Sequence, residues 1–166
     1  LGPMIAPYSS YLTGQNRYVI FPSFAGQINA YHLKWGLGAA LDGSKATGWS
    51  YNAGAPIDQL APVYFDKVVY VPGTKKSPLA MLQLDTGKVI AKHKTMSRVL
   101  MVDNKNAYIL GKNDHIYGFN RLTGKQSKWS LPYKQFEYDM ALTSPTLKKI
   151  FLVSKKGSII ALREKP

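Results

Sequence analysis

The chain has 166 residues, 45% hydrophobic and 19% charged, proportions that exclude a disordered polyelectrolyte or a fibrous repeat and suffice for one stable core. It has no cysteine, which excludes disulfides, thiolate metal sites and a cysteine nucleophile. The formal charge is +13, and because residues 1–60 hold only Arg17, Lys34 and Lys45 against Asp42 and Asp58, nearly all the excess lies further on. Such a balance favours acidic or polyanionic partners, through an attraction that salt weakens.

In chain order, Leu1-Gly2-Pro3 reads as a cloning remnant, and Met4 to Leu12 reads as a strand. Neither a basic-then-apolar leader nor an apolar run near the roughly 18 residues of a membrane helix is present. Tyr18-Val19-Ile20-Phe21 is the first of four β-branched and aromatic runs; the others are Val68-Val69-Tyr70-Val71, Ala107-Tyr108-Ile109-Leu110 and Ile150-Phe151-Leu152-Val153. Each has the composition of a buried strand. Each is followed by a turn, at Gly26-Gln27, Pro72-Gly73, Gly111 to Asp114 and Lys155-Lys156-Gly157, whose residues supply positive φ or Asx geometry.

A second strand follows every turn, and in three copies it sets a small residue before a large one: Ala30-Tyr31, Gly118-Phe119 and Ala161-Leu162. Met81-Leu82 breaks that pattern. Successive copies lie 37 to 51 residues apart, the spacing of four-stranded units that stack radially. Two copies then close with Asp85-Thr86-Gly87-Lys88 and Leu122-Thr123-Gly124-Lys125, and the first with the looser Leu41-Asp42-Gly43-Ser44-Lys45 inside a glycine- and alanine-rich insertion, Lys34 to Thr47. Trp49 and Trp129 occupy the strand that follows in copies one and three, where copy two has Ala91-Lys92-His93. Pro62 to Phe65, Val99 to Val102 and Met140 to Pro145 supply the inner strands of the later copies.

Taken together, a strand pair joined by a glycine turn, then Thr-Gly-Lys, then tryptophan resembles the pyrroloquinoline-quinone-like, or quinoprotein-type, β-propeller repeat. The resemblance spans nearly the whole chain. It implies an all-β propeller of about four antiparallel blades, approximately 4–54, 55–95, 96–136 and 137–166, with the last blade lacking its outermost strand. It also implies that the repeats are part or half of a larger ring, or form a small one. A second copy of the chain completing the ring is a corollary, since open strand edges invite pairing. In this family the tryptophans dock neighbouring blades, a role that falls here on Trp49 and Trp129.

Chemistry-bearing constellations are sparse. His32, His93 and His115 fall in three different copies without carboxylates at ligand spacing, so no metal is expected. Asn113-Asp114-His115 sits where a hairpin turn is required, and Asn-Asp is ordinary turn chemistry. Nucleophile elbows, zinc-protease motifs and phosphate loops are absent, and Gly36-Leu37-Gly38 lies in the insertion. No catalytic residue and no cofactor are assigned, because fold likeness alone does not transfer activity.

Lys75, Lys76, Lys112, Lys155 and Lys156 occupy equivalent turns, which radial repetition would bring to one face as a partner-binding surface. Tyr133 and Phe136, in the aromatic linker Tyr133 to Tyr138, either contact a partner or cap the rim. Four arginines against eighteen lysines argue against nucleic acid. The expected function is a non-catalytic protein-interaction scaffold, its partners acidic or membrane-associated. By resemblance to the non-enzymatic branch that serves outer-membrane barrel assembly, its place is periplasmic or extracellular. The competing readings are a quinone-dependent dehydrogenase fragment and a polyanion-binding module.

Overall fold

The structure, a computed structural model, describes residues 18–22, 25–32, 48–56, 63–65, 67–144 and 149–162. The strand expected at Met4 to Leu12 and the insertion Lys34 to Thr47 lie outside them. Four antiparallel sheets are present, each formed by consecutive strands in chain order. Sheet one holds β1 (Tyr18–Pro22), β2 (Gln27–His32) and β3 (Gly48–Asn52). Sheet two holds β4 (Val63–Phe65), β5 (Val68–Val71), β6 (Leu79–Gln83) and β7 (Val89–His93). Sheet three holds β8 (Met96–Val102), β9 (Asn106–Gly111), β10 (Ile116–Asn120) and β11 (Gln126–Leu131). A 3-10 helix at Tyr133–Phe136 leads to sheet four, with β12 (Met140–Ser144), β13 (Lys149–Val153) and β14 (Ile159–Leu162).

The sheets stack face to face in sequence order. Ile20, Ile28 and Ala30 of sheet one meet Val69, Val71, Ala80 and Leu82 of sheet two in a first core. Alternation then sends Val68, Tyr70, Leu79 and Met81 to the other side, against Val102, Ala107, Ile109 and Phe119 of sheet three. In turn, Met101 and Ile116 of sheet three meet Ala141, Ile150 and Leu152 of sheet four. A strand buried on both faces must be apolar throughout, which is why β5 reads Val-Val-Tyr-Val with all four residues buried. Each such side chain contributes roughly 1.5–3 kcal/mol on burial.

The two Thr-Gly-Lys turns are built alike. Gly87 and Gly124 take φ of 66° and 68°, a region where a side chain is strained. Their amides donate to Gln83 and Asn120 carbonyls at 2.9 and 2.8 Å. The threonine hydroxyls Oγ1 of Thr86 and Thr123 accept from the amides of Lys88 and Lys125 at 3.2 and 3.3 Å. Threonine therefore holds the turn and glycine permits it.

Cross-strand register fixes which residues of the four runs are equivalent. Val69 pairs with Leu82 and Ala107 with Phe119, so Val69, second in its run, is the counterpart of Ala107, first in its own. A single row then recurs: Ile20 opposite Ala30, Tyr70 opposite Met81, Tyr108 opposite Gly118 and Phe151 opposite Ala161. In sheets one and two the row extends onto the next strand, as Ala30 to Trp49 and Met81 to Ala91. In sheets one to three the row looks toward the following sheet.

Candidate partner-binding rim

Because consecutive strands alternate in direction, the connections β5–β6, β7–β8, β9–β10, β11–β12 and β13–β14 leave the sheets at the same end. They carry all seven residues proposed for partner contact. Lys75 and Lys76 sit in a loop fixed by Thr74, whose Oγ1 accepts from the amides of Lys76 and Ser77 at 3.1 and 3.0 Å. The Gly73 amide anchors this loop to the Ser97 carbonyl, 2.7 Å away. Lys112 begins the next loop, its amide donating to Thr95 O at 2.7 Å and its Nζ to Lys94 O at 2.8 Å. Lys155 and Lys156 occupy the equivalent turn of sheet four.

Part of this charge is neutralised locally. Lys134 pairs with Asp114 at 2.7 Å, Lys155 with Asp139 at 3.8 Å and Lys156 with Glu137 at 3.2 Å. These exposed pairs are individually weak, yet together they tie the β9–β10 turn to the linker and the linker to the β13–β14 turn. Lys75, Lys76 and Lys112 have no ion pair among the described residues.

Tyr133 and Phe136 have different surroundings; Tyr133 is buried. It is only 3% exposed and belongs to the third core, so it caps the interface between sheets three and four and offers no surface to a partner. Burial raises its phenol above the ordinary range, reinforced by neighbouring Asp114, to which its hydroxyl donates at 3.4 Å. Phe136, by contrast, is 60% exposed. Asp114 takes φ of 61°, a conformation that aspartate tolerates in turns, and its carboxylate is occupied by Lys134.

The blade-docking residues also differ from one another. Trp49 packs onto sheet two: its Nε1–H donates to the Leu84 carbonyl, and a Cβ on Gly87 would lie 2.6 Å from its ring. Only glycine leaves room for that ring. Ala91 occupies the same relation one sheet on, directly against Gly124. Trp129 is 44% exposed, and among the described residues its ring contact lies within its own sheet, edge-on to Tyr108 at 5.7 Å and across Gly118. The position that would receive it, equivalent to Leu84, lies beyond β14 and outside the described residues.

His93, weighed in the sequence only as a metal ligand, is a residue of the interface between sheets two and three. It packs 4.4 Å from Phe119 of the next sheet, filling part of the space left by the alanine at position 91. Burial lowers its pKa below 6.5, outweighing a hydrogen bond with the Gly124 backbone, and Nε2 has no partner among the described residues. Since the folded form disfavours the proton, stability is fully present above the unfolded pKa near 6.5 and is lost as pH falls through that value toward the folded pKa. Thermal melts from pH 7.5 to 5 should show this loss, and His93→Phe should remove the part of it that His93 causes.

Four successive, face-packed antiparallel sheets of this connectivity are blades of a β-propeller. No family model matches the sequence, and no curated protein does. Among solved structures the chain is similar to BamB from Moraxella catarrhalis, with a TM-score of 0.54 and 14% identity, covering 87% of this chain and 46% of that one. The chain thus spans about half the length of the structure it matches, and the likeness supports the propeller fold.

Proposed function

We propose that this chain is a non-catalytic propeller scaffold that holds partner proteins at a bacterial cell envelope, in the periplasm or outside the cell. The observation that carries this reading is the convergence of Lys75, Lys76, Lys112, Lys155 and Lys156, from three blades, on one rim. Loops displayed side by side on a rigid sheet stack are the usual site of binding function. Lysines there attract an acidic partner over a Debye length and set its orientation. The likeness to BamB supports the propeller fold that such a scaffold needs, and the +13 charge supports a second reading as a polyanion-binding module.

Site-specific photo-cross-linking in the cells that carry the protein tests the first reading. A benzoylphenylalanine replacing Lys76 or Lys112 should give discrete protein adducts, and one replacing Lys88 or Lys125 on the opposite rim should not. Reversing Lys75 and Lys76 to glutamate should remove the adducts. Adducts from both rims alike, or from neither, would contradict the scaffold reading. Salt-sensitive binding to anionic vesicles without protein adducts would favour the polyanion reading.

A further inference from the structure

We infer that Lys75, Lys76, Lys94 and Lys112 form a binding strip for an extended acidic segment of a partner protein, on the rim of sheets two and three. This rests on the scaffold reading and names the part of the rim that anchors the partner and the chemistry it recognises.

The rim divides by charge. Among the described residues its carboxylates are Asp114, Glu137 and Asp139, and each is taken by a lysine, Lys134, Lys156 and Lys155 respectively. Those pairs close the rim between sheets three and four upon itself. Asp85 and Asp103 belong to connections at the opposite end. Lys75, Lys76, Lys94 and Lys112 are all exposed, and none has an ion pair among the described residues. Like charges without counter-charge repel one another, so a partner that supplies the acid relieves a cost the free chain carries.

The backbone of the strip is ordered in advance. Lys75 and Lys76 lie between β5 and β6, Lys94 between β7 and β8, and Lys112 between β9 and β10. The first of these connections is pinned to β8 through Gly73, where a Cβ would lie 2.3 Å from the Met96 carbonyl. The third is pinned to the second through the Lys112 amide and Thr95 O, 2.7 Å apart. Lys112 Nζ also donates to the Lys94 carbonyl at 2.8 Å, which turns the ammonium back toward sheet two and leaves its remaining N–H groups for a ligand. Loops fixed beforehand lower the entropic cost of binding.

Composition selects the occupant. A site on a membrane surface combines basic charge with apolar side chains that insert. The exposed large apolar residues, Leu122 and Phe136 among them, all lie outside these three connections, which offer Thr74, Thr95 and Asn113 beside the lysines. A second copy of the chain would set +13 against +13. Lysines are point charges on flexible stems, so they match carboxylates spaced along an extended segment.

A short fluorescein-labelled peptide alternating glutamate and serine, and its glutamine counterpart, would be titrated with the full chain at physiological salt. There the Debye length is about 8 Å, so charge on the opposite rim is screened. The glutamate peptide should bind saturably, weaken as salt rises and slow amide exchange in segments 74–76, 94–95 and 112–113, and the glutamine peptide should not bind. Lys75→Ser with Lys94→Ser and Lys112→Ser should weaken binding about tenfold. Removing the same charge from the opposite rim, by Lys88→Ser with Lys105→Ser and Lys125→Ser, should weaken it less than about twofold. Asp114→Asn, which releases Lys134 beside the strip, should tighten binding about twofold. Equal losses from the two triple variants, binding of both peptides or neither, protection confined to other segments, or equal affinity for phosphatidylglycerol vesicles would overturn the inference. The two-peptide comparison on the unmodified chain decides it even if a variant fails to fold. Absent peptide binding with adducts retained at Lys112 leaves the scaffold standing without the strip, while peptide binding without any adduct removes the scaffold and keeps the strip.

Discussion

Replacing Trp49 by alanine is expected to lower unfolding free energy by about 2–4 kcal/mol, a fall of roughly 6–12 °C in Tm for a chain of this size. Two contributions combine. The ring packs into the space that Gly87 leaves open, so truncation opens a cavity between sheets one and two. Its N–H also satisfies the Leu84 carbonyl, which would be left to find another donor. Trp49→Phe should separate the two effects, retaining most of the packing and losing about 0.5–1.5 kcal/mol for the hydrogen bond. Trp129→Ala, at an exposed site with contacts inside one sheet, should cost no more than about 1 kcal/mol. Denaturant melts with unchanged m-values would check all three, and equal losses at the two tryptophans would remove the distinction drawn between them.

Much of the architecture is legible before any coordinates. Buried strands such as Val68–Val71 must be apolar on both faces, and the positive-φ glycines of the two Thr-Gly-Lys turns leave a plain mark in the chain. Those signals place four repeats and the lysine-bearing loops between their second and third elements. Register is less accessible, since a run of consecutive apolar residues looks the same when shifted by one, so the equivalence of Val69 and Ala107 does not show in the runs themselves. Only the cross-strand partners Leu82 and Phe119 resolve it.

The rim was half legible. Its lysines follow from turn positions, but Tyr133 and Phe136, three residues apart in one aromatic segment, have opposite fates that composition does not separate. One is buried against Ala141, Ile150 and Leu152, the other faces outward. Ion pairs from Asp114, Glu137 and Asp139 reach across adjacent connections, so local sequence could not reveal them. Copy two broke the pattern twice, with a large residue at Met81 and a small one at Ala91. Read along the chain these are separate exceptions, whereas across the sheet they face each other.

That pairing supplies the test of the central claim, that the blades dock in succession through one row of residues contributed by adjacent strands. Met81 is fully buried, so Met81→Ala should cost about 2–4 kcal/mol through an unfilled cavity. Ala91→Trp alone should cost about 1–3 kcal/mol, because methionine already occupies the space a ring would need. Combined, the two changes recreate the small-opposite-tryptophan arrangement of Ala30 and Trp49 above the glycine of the following turn. The double-mutant cycle is therefore predicted to show the pair less destabilised than the sum of the single changes by about 1–3 kcal/mol. Losses that add to within about 0.5 kcal/mol would show that positions 81 and 91 do not share one space between blades, and would contradict the stacking on which the rim depends.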